Sequence, residues 1–200
     1  MKSLFFGDSI TQGEPFSFTS FLPYQCINLG VSGTTIGEYS VYPVDGKSLL
    51  SRLYAREYII PMYDYVFLEY GINDVSAIVC NNVQYTQVVI SAVKALDYIK
   101  RVAPEIDIYF LYFGRKCMDS ISRGVVDYLK NDYFKNIGYD FDSKYFATVY
   151  ETLIYSIKDM VKTVDVMPND VFDDKYLMDD GIHFNESGCK VIASMLEFNN

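Results

Sequence analysis

The residues best suited to catalysis in this sequence are a serine near the amino end and the only histidine, near the other end. Ser9 closes the apolar stretch "SLFFGDS", and His183 stands three residues after Asp180. A serine hydroxyl becomes a strong nucleophile when a base takes its proton, and imidazole is the usual base near neutral pH. The imidazole needs an acceptor on its other nitrogen, which Asp180 can supply. We therefore predict a site in which Ser9 is the nucleophile, His183 its base and Asp180 the orienting acid.

Attack on a carbonyl also requires hydrogen-bond donors for the oxyanion that forms. The candidate donors are the backbone N–H of Ser9, the backbone N–H of Gly33 and the side-chain amide of Asn73. Gly33 suits this role because a residue without a Cβ lets a substrate approach its backbone. Structural interpretations stay open: Ser9 could only cap a helix, Gly33 could only permit a tight turn, and Asn73 could only satisfy backbone groups in its own turn.

Three aspartates flank these residues. We expect Asp8 to tie down the turn around Ser9 rather than to act in catalysis, and Asp74 to hold the loop that carries Asn73. Asp179 directly precedes Asp180, but the spacing favours Asp180 as the partner of the histidine. Asp179 is then a solvent-facing or loop-capping residue.

The segments that must position these residues alternate between short β-type runs and longer runs of helical period. The predicted strands cover 2–7, 25–30, 64–71, 107–114 and 163–168. The predicted helices cover 47–60, 82–103 and 141–161, and a further helix begins at the N-cap Asn185 and runs toward Phe198. Region 115–146 is less regular and is expected to build part of the substrate wall. This alternation predicts a three-layer α/β/α domain with a parallel sheet, whose ligands bind at the carboxyl ends of the strands.

Length and composition narrow the class of protein. The 200 residues fit one domain over 1–200, and the net charge of −9 disfavours nucleic acid and anionic membranes as partners. No apolar run approaches the roughly 20 residues that cross a membrane. The four cysteines show no metal-ligand spacing, which favours free thiols, no metal site and a reducing, cytoplasmic location. The apolar start is also shorter than the core of a signal peptide.

Four sequence blocks carry a family resemblance. In chain order they are "FFGDSIT", "NLGVSGTT", "YGIND" and "DDGIHFNESG", and they span positions 5 to 188. Together they resemble the nucleophile, glycine, asparagine and Asp-x-x-His blocks of the SGNH (GDSL-type) hydrolase family. The resemblance implies a flavodoxin-like sheet of strand order 2-1-3-4-5 and hydrolysis of esters or thioesters without a metal or other cofactor. One departure is Phe184, where many relatives have a proline directly after the histidine.

Carried over by position, the resemblance assigns catalysis to Ser9, Asp180 and His183, and the oxyanion hole to Ser9, Gly33 and Asn73. The expected activity is that of a serine esterase acting on a small ester with a short acyl group, such as an acetyl group on a carbohydrate. The alternatives are a lysophospholipase or thioesterase for longer acyl chains, an acyltransferase, and a catalytically silent binding module on the same scaffold.

Overall fold

The computed structural model describes residues 1–39, 48–80, 83–133 and 142–197 of the chain. Five parallel strands form one sheet in the order β2-β1-β3-β4-β5, which confirms the predicted fold class and strand order. The strands are β1 (Lys2–Gly7), β2 (Gln25–Gly30), β3 (Tyr65–Glu69), β4 (Asp107–Phe113) and β5 (Lys162–Met167).

Seven α-helices are present in the described part of the chain, and they complete a three-layer α/β/α arrangement. They are α1 (Ser9–Gln12), α2 (Leu49–Tyr54), α3 (Ile72–Val79), α4 (Tyr85–Val102), α5 (Arg115–Tyr128), α6 (Ser143–Ile157) and α7 (Glu186–Met195). Short 3-10 turns cover Phe18–Phe21, Ile60–Met62 and Asp174–Tyr176, and a π-helical turn covers Leu129–Tyr133.

The three central strands are almost fully buried, whereas the edge strands β2 and β5 are partly exposed. This difference is typical of a parallel sheet that helices cover on both faces. Across the sheet, Phe5 stacks on Phe67 at 4.5 Å between ring centroids, and Phe67 stacks on Tyr109 at 5.2 Å. These three residues are direct partners in the strand register, so the aromatic stack and the backbone pairing stabilise the same alignment.

The predicted strands agree with the observed ones to within two residues at each end, but the helices agree less well. The prediction that 115–146 is irregular is wrong where the structure describes it, because Arg115–Tyr128 is a regular helix. The helix that follows Gly71 was not predicted either, and the one predicted over 47–60 ends at Tyr54. Predicted helix positions 47, 82, 141 and 198, and residues 134–140 of the irregular region, lie outside the described residues.

Two further predictions concern the state of the cysteines and the presence of membrane-spanning segments. Cys26, Cys80, Cys117 and Cys189 are all free thiols. In the described ranges, no helix is both long enough and apolar enough to pass through a bilayer.

Candidate active site

Ser9 lies at the sharp turn where β1 passes into α1. The Asp8 carboxylate caps this helix, because its Oδ1 accepts a hydrogen bond of 3.0 Å from the N–H of Ile10. The turn is tight: a Cβ at Gly7 would overlap the hydroxyl of Thr11. Glycine at this position therefore lets α1 fold back onto the end of β1, and Ser9 is held at the carboxyl edge of the sheet.

His183 is held by a short backbone bridge just before α7. Leu177 and Phe184 form an isolated antiparallel bridge, and the N–H of Met178 donates to the carbonyl of His183 at 2.8 Å. Phe184 is 3% exposed, and its ring packs at 5.4 Å from that of Phe113 at the end of β4. The buried side chain of Phe184 therefore fixes the position of the backbone at the neighbouring residue, His183.

The structure brings Ser9, His183 and Asp180 into one hydrogen-bonded series. His183 Nε2 lies 2.9 Å from Ser9 Oγ, and His183 Nδ1 lies 2.6 Å from Asp180 Oδ2. The other oxygen of Asp180 accepts the backbone N–H groups of Ile182 at 2.8 Å and His183 at 2.9 Å. With Nδ1 donating to the carboxylate, Nε2 is the acceptor for the serine proton.

This series is open to solvent, since the side chains of His183 and Asp180 are 33% and 43% exposed. Partial burial raises the pKa of Asp180, but the hydrogen bonds from the His183 ring and from the two backbone N–H groups outweigh it. The net pKa of Asp180 is lower than its usual value. Asp180 is therefore an anion at neutral pH and can accept the hydrogen of His183 Nδ1.

The two backbone donors predicted for the oxyanion hole are the N–H groups of Ser9 and Gly33. Among the described residues, neither the N–H of Ser9 nor that of Gly33 donates a hydrogen bond. Gly33 has a φ of +74°, a left-handed conformation that favours glycine. The neighbouring Ser32 N–H donates to Gln12 Oε1 at 2.5 Å, which ties the glycine loop to α1. Sequence reasoning missed this anchor because Gln12 belongs to no motif.

Asn73 lies in the first turn of α3, next to Asp8 in the turn between β1 and α1, and is 7% exposed. Its Nδ2 donates to Asp8 Oδ2 at 3.2 Å and to the carbonyl of Thr34 at 3.0 Å. Both amide hydrogens are therefore occupied in this state. Asn73 can donate to an oxyanion only if it exchanges one of these bonds.

Asp74 holds the segment that follows the glycine loop. Its Oδ1 accepts the N–H of Ile36 at 2.9 Å and the hydroxyl of Tyr39 at 2.7 Å. Burial raises the pKa of Asp74 to about 7 and that of Asp8 to about 6. The carboxyl groups beneath Ser9 are thus in a far less polar environment than Asp180.

Gly124 in α5 is a second residue that sequence reasoning missed. A Cβ on it would lie 2.7 Å from the carbonyl oxygen of Asp180 and 2.8 Å from that of Gly181, closer than such contacts normally come. The glycine therefore allows α5 to pack directly against the turn that carries Asp180. The apolar spacing of Cys117, Ile121 and Val125 could have indicated this helix.

A small cavity lies beside Ser9 and His183, between α1 and α7. Its volume is about 10 Å³, enough for roughly one water-sized group. Its lining combines the polar residues Ser9, Glu14 and His183 with apolar side chains from Ile10, Phe16, Phe18, Phe184, Cys189 and Ile192. Within the described ranges, no group of three or more His, Cys, Asp or Glu side chains is placed to hold a metal ion.

An α/β/α fold with a polar cluster at the strand ends defines a flavodoxin-like class whose ligands bind where the connections diverge. A family model assigns the chain more narrowly than this fold class does. The chain belongs to the GDSL-like lipase/acylhydrolase family, whose model matches residues 5–191. The resemblance inferred from the four sequence blocks is therefore confirmed.

Solved structures share the fold at low sequence identity. A Streptococcus pneumonia protein named for platelet activating factor has a TM-score of 0.63 and 18% identity, covering 98% of this chain and 81% of its own. The acetylxylan esterase Axe2 from Geobacillus stearothermophilus has a TM-score of 0.57 and 17% identity, covering 99% and 94%. LAE5, an alpha/beta hydrolase from the metagenome of Lake Arreo, has a TM-score of 0.56 and 19% identity, covering 98% and 92%. No curated protein sequence matches the chain significantly.

Proposed function

We propose that this member of an ester-hydrolysing family is a serine esterase with Ser9 as its nucleophile. The observation that carries the proposal is the series from Ser9 Oγ through His183 to Asp180, with heavy-atom distances of 2.9 and 2.6 Å. Both distances are short enough for proton transfer and for orientation of the ring.

The reaction proceeds in two halves. Ser9 Oγ attacks the ester carbonyl while His183 Nε2 takes its proton, and the tetrahedral oxyanion accepts hydrogen bonds from the N–H groups of Ser9 and Gly33. Collapse expels the alcohol, which receives the proton from His183 and leaves an acyl group on Ser9. Water then loses a proton to His183 and attacks the acyl carbonyl, and the acid departs as Ser9 regains its proton. Asn73 joins the oxyanion hole by exchanging one of its bonds, to Asp8 or to Thr34.

We propose short acyl groups as the substrates, with an acetyl ester on a carbohydrate as the leading class. The cavity of about 10 Å³ beside Ser9 supports this choice, because it has no room for a long acyl chain. The acetylxylan esterase among the similar folds agrees with it. The negative charge, which disfavours contact with anionic lipid surfaces, supports a polar substrate. We also propose a cytoplasmic location, which the four free thiols support.

The test is turnover of p-nitrophenyl acetate by the native protein and by Ser9→Ala. We expect the variant to lose activity to the level of buffer, and to lose labelling by a fluorophosphonate probe, while its circular dichroism is unchanged. Ser187→Ala is a matched control, because Ser187 lies in α7 outside the hydrogen-bonded series. Activity retained in Ser9→Ala would overturn the assignment. A series of esters from acetate to dodecanoate then tests chain length, with acetate expected to be the best substrate.

A further inference from the structure

A second acidic residue lies directly beneath the Ser9 turn and has no role in the mechanism above. Glu69 ends β3, and its Cα is paired in register with Gly7 on β1. The residue is 2% exposed. The Thr11 hydroxyl, which fills the space left by the missing side chain of Gly7, donates to Glu69 Oε2 at 2.9 Å.

The other carboxyl oxygen of Glu69 is the unusual feature. Oε1 is buried, and no described N–H or O–H group donates to it. The group beside Glu69 is another carboxyl group, because Asp8 directly follows Gly7, whose Cα is paired in register with that of Glu69, and the charge of Asp8 raises the pKa of Glu69. Two buried carboxylates in contact would repel each other strongly, whereas a pair that holds one proton forms a short, stable hydrogen bond.

The direction of sharing follows from the remaining contacts. Asp8 accepts from the N–H of Ile10 and from the amide of Asn73, and both donors stabilise a negative charge on Asp8. Among the described residues, the side-chain donor to Glu69 is the neutral Thr11 hydroxyl. The proton therefore resides on Glu69 and the charge on Asp8. The pKa of Glu69 agrees with this, since burial and the Asp8 charge raise it well above its usual value.

We propose that Glu69 is a positioning residue: as a neutral carboxylic acid it donates a hydrogen bond to Asp8 and keeps Asp8 satisfied when Asn73 turns to the oxyanion. In the resting state Asn73 donates one of its amide hydrogens to Asp8 Oδ2. If Asp8 had few other donors, the loss of its hydrogen bond from Asn73 would cost free energy, and that cost would raise the barrier of the reaction. The O–H of Glu69 and the N–H of Ile10 remain on Asp8 and lower that cost.

The groups that surround the Asp8–Glu69 pair include one permanent cation. Arg52 of α2 donates to the carbonyl of Gly7 at 3.1 Å and to the Tyr70 hydroxyl at 2.7 Å, and its charge lowers the pKa of Asp8. The titratable and charged groups that face the pair are Arg52 from α2, Tyr70 after β3, Asp74 from α3, Tyr150 from α6 and His183 before α7. One cation does not neutralise both Asp8 and an ionised Glu69, which favours the protonated form of Glu69.

The first test rests on the proposed esterase activity and compares Glu69→Gln with Glu69→Leu. Glutamine keeps the pattern, since its oxygen can accept from Thr11 and its amide can donate to Asp8. We expect Glu69→Gln to keep kcat within about threefold and Glu69→Leu to lose about 10- to 100-fold in kcat with KM nearly unchanged. An equal loss in both variants, or no loss in Glu69→Leu, would overturn the proposal. Glu105→Gln, an exposed carboxylate before β4, is the control.

The second test does not depend on any activity. An acid whose pKa is raised by folding keeps its proton after the unfolded chain has released one, so stability falls as pH rises above about 4.5, the ordinary value for Glu69. Glutamine does not titrate. The melting temperature of Glu69→Gln should match that of the native protein near pH 4 and exceed it increasingly toward pH 8.

The infrared carboxylic-acid band offers the same comparison at neutral pH. We expect this band at pH 7 to be stronger in the native protein than in Glu69→Gln, which retains only the contribution of the other buried carboxyl groups. A melting-temperature difference that is the same at every pH, together with an unchanged infrared band, would show that Glu69 is ionised and would overturn the proposal. If Ser9→Ala kept its activity, the esterase assignment would fail while these two measurements kept their meaning.

Discussion

Two groups of carboxyl side chains flank Ser9, and their surroundings are opposite. On one side Asp180 is 43% exposed and its pKa lies below the usual value, since hydrogen bonds outweigh partial burial. On the other side Asp8 and Asp74 are 1% and 0% exposed, and burial raises their pKa to about 6 and about 7.

The difference separates proton movement from structural support. In the proposed reaction His183 takes up and releases a proton in every turnover, and contact with water stabilises the charged forms on this side. The buried side holds the Ser9 turn, the Asn73 amide and the 36–39 segment, and its protons need not move during the reaction. A site divided in this way should respond to substitution with lost catalysis on one side and with altered pH-dependent stability on the other.

The largest effect should come from breaking the exposed side at Asp180. Asp180→Asn keeps the shape but removes the charge and the preference for the tautomer in which Nδ1 donates. We expect kcat for p-nitrophenyl acetate to fall about 10³- to 10⁴-fold. Asp179→Asn, on the exposed neighbouring residue, should change kcat less than twofold. The reverse ranking of the two variants would show that Asp179 is the partner of His183.

A smaller effect should come from moving the Asp180 turn without altering its chemistry. Gly124→Ala places a Cβ 2.7 Å from the Asp180 carbonyl, so α5 or the turn must shift. We expect kcat to fall about 10- to 100-fold, because displacing a catalytic group by a fraction of an ångström weakens its alignment. Asp127→Ala, on an exposed position of the same helix, is the control and should leave kcat unchanged. Normal kcat in Gly124→Ala would mean that the turn is not held by this contact.

The smallest effect on kcat should come from the buried side, where a substitution changes mainly how stability varies with pH. The unfolded chain releases the Asp74 proton above about pH 3.8, while the folded protein keeps it to about pH 7. Between these values Asp74 lowers the free energy of unfolding by about 1.4 kcal/mol per pH unit. Asp74→Asn lacks this slope and keeps an oxygen for Ile36 and Tyr39.

Urea denaturation at several pH values measures this slope. The stability of Asp74→Asn relative to the native protein should increase from pH 4 to pH 7 and stay level above that. A relative stability that does not vary with pH would contradict a raised pKa at Asp74 and would remove the contrast between the two sides of Ser9.

The sequence predicted the strands and the polar residues at their ends better than it predicted the helices. The central strands are apolar on both faces and end at glycine or polar residues, so their limits are visible locally. Helix α5 carries polar residues and Gly124 among its apolar positions, and α3 follows Gly71 without a side-chain cap. Both helices are stabilised by packing that only the folded chain provides.

The same distinction applies to the site. His183 and Asp180 could be chosen because the chain has one histidine and the aspartate stands three residues before it, and Ser9 because it ends the first predicted strand in a recognisable sequence block. Glu69 and Gly124 could not, since each matters through a neighbour that is distant in sequence. The occupied state of the Asn73 amide likewise depends on three segments that meet only in the fold.

The Ser9–His183 contact joins residues that are 174 positions apart in the chain. During synthesis the Ser9 hydroxyl therefore has no base until the segment that carries His183 and α7 has been made and has packed against the sheet. Labelling of Ser9 by an active-site probe would then report that folding is complete. A fragment that lacks the segment around α7 should not be labelled until a peptide with that segment is added.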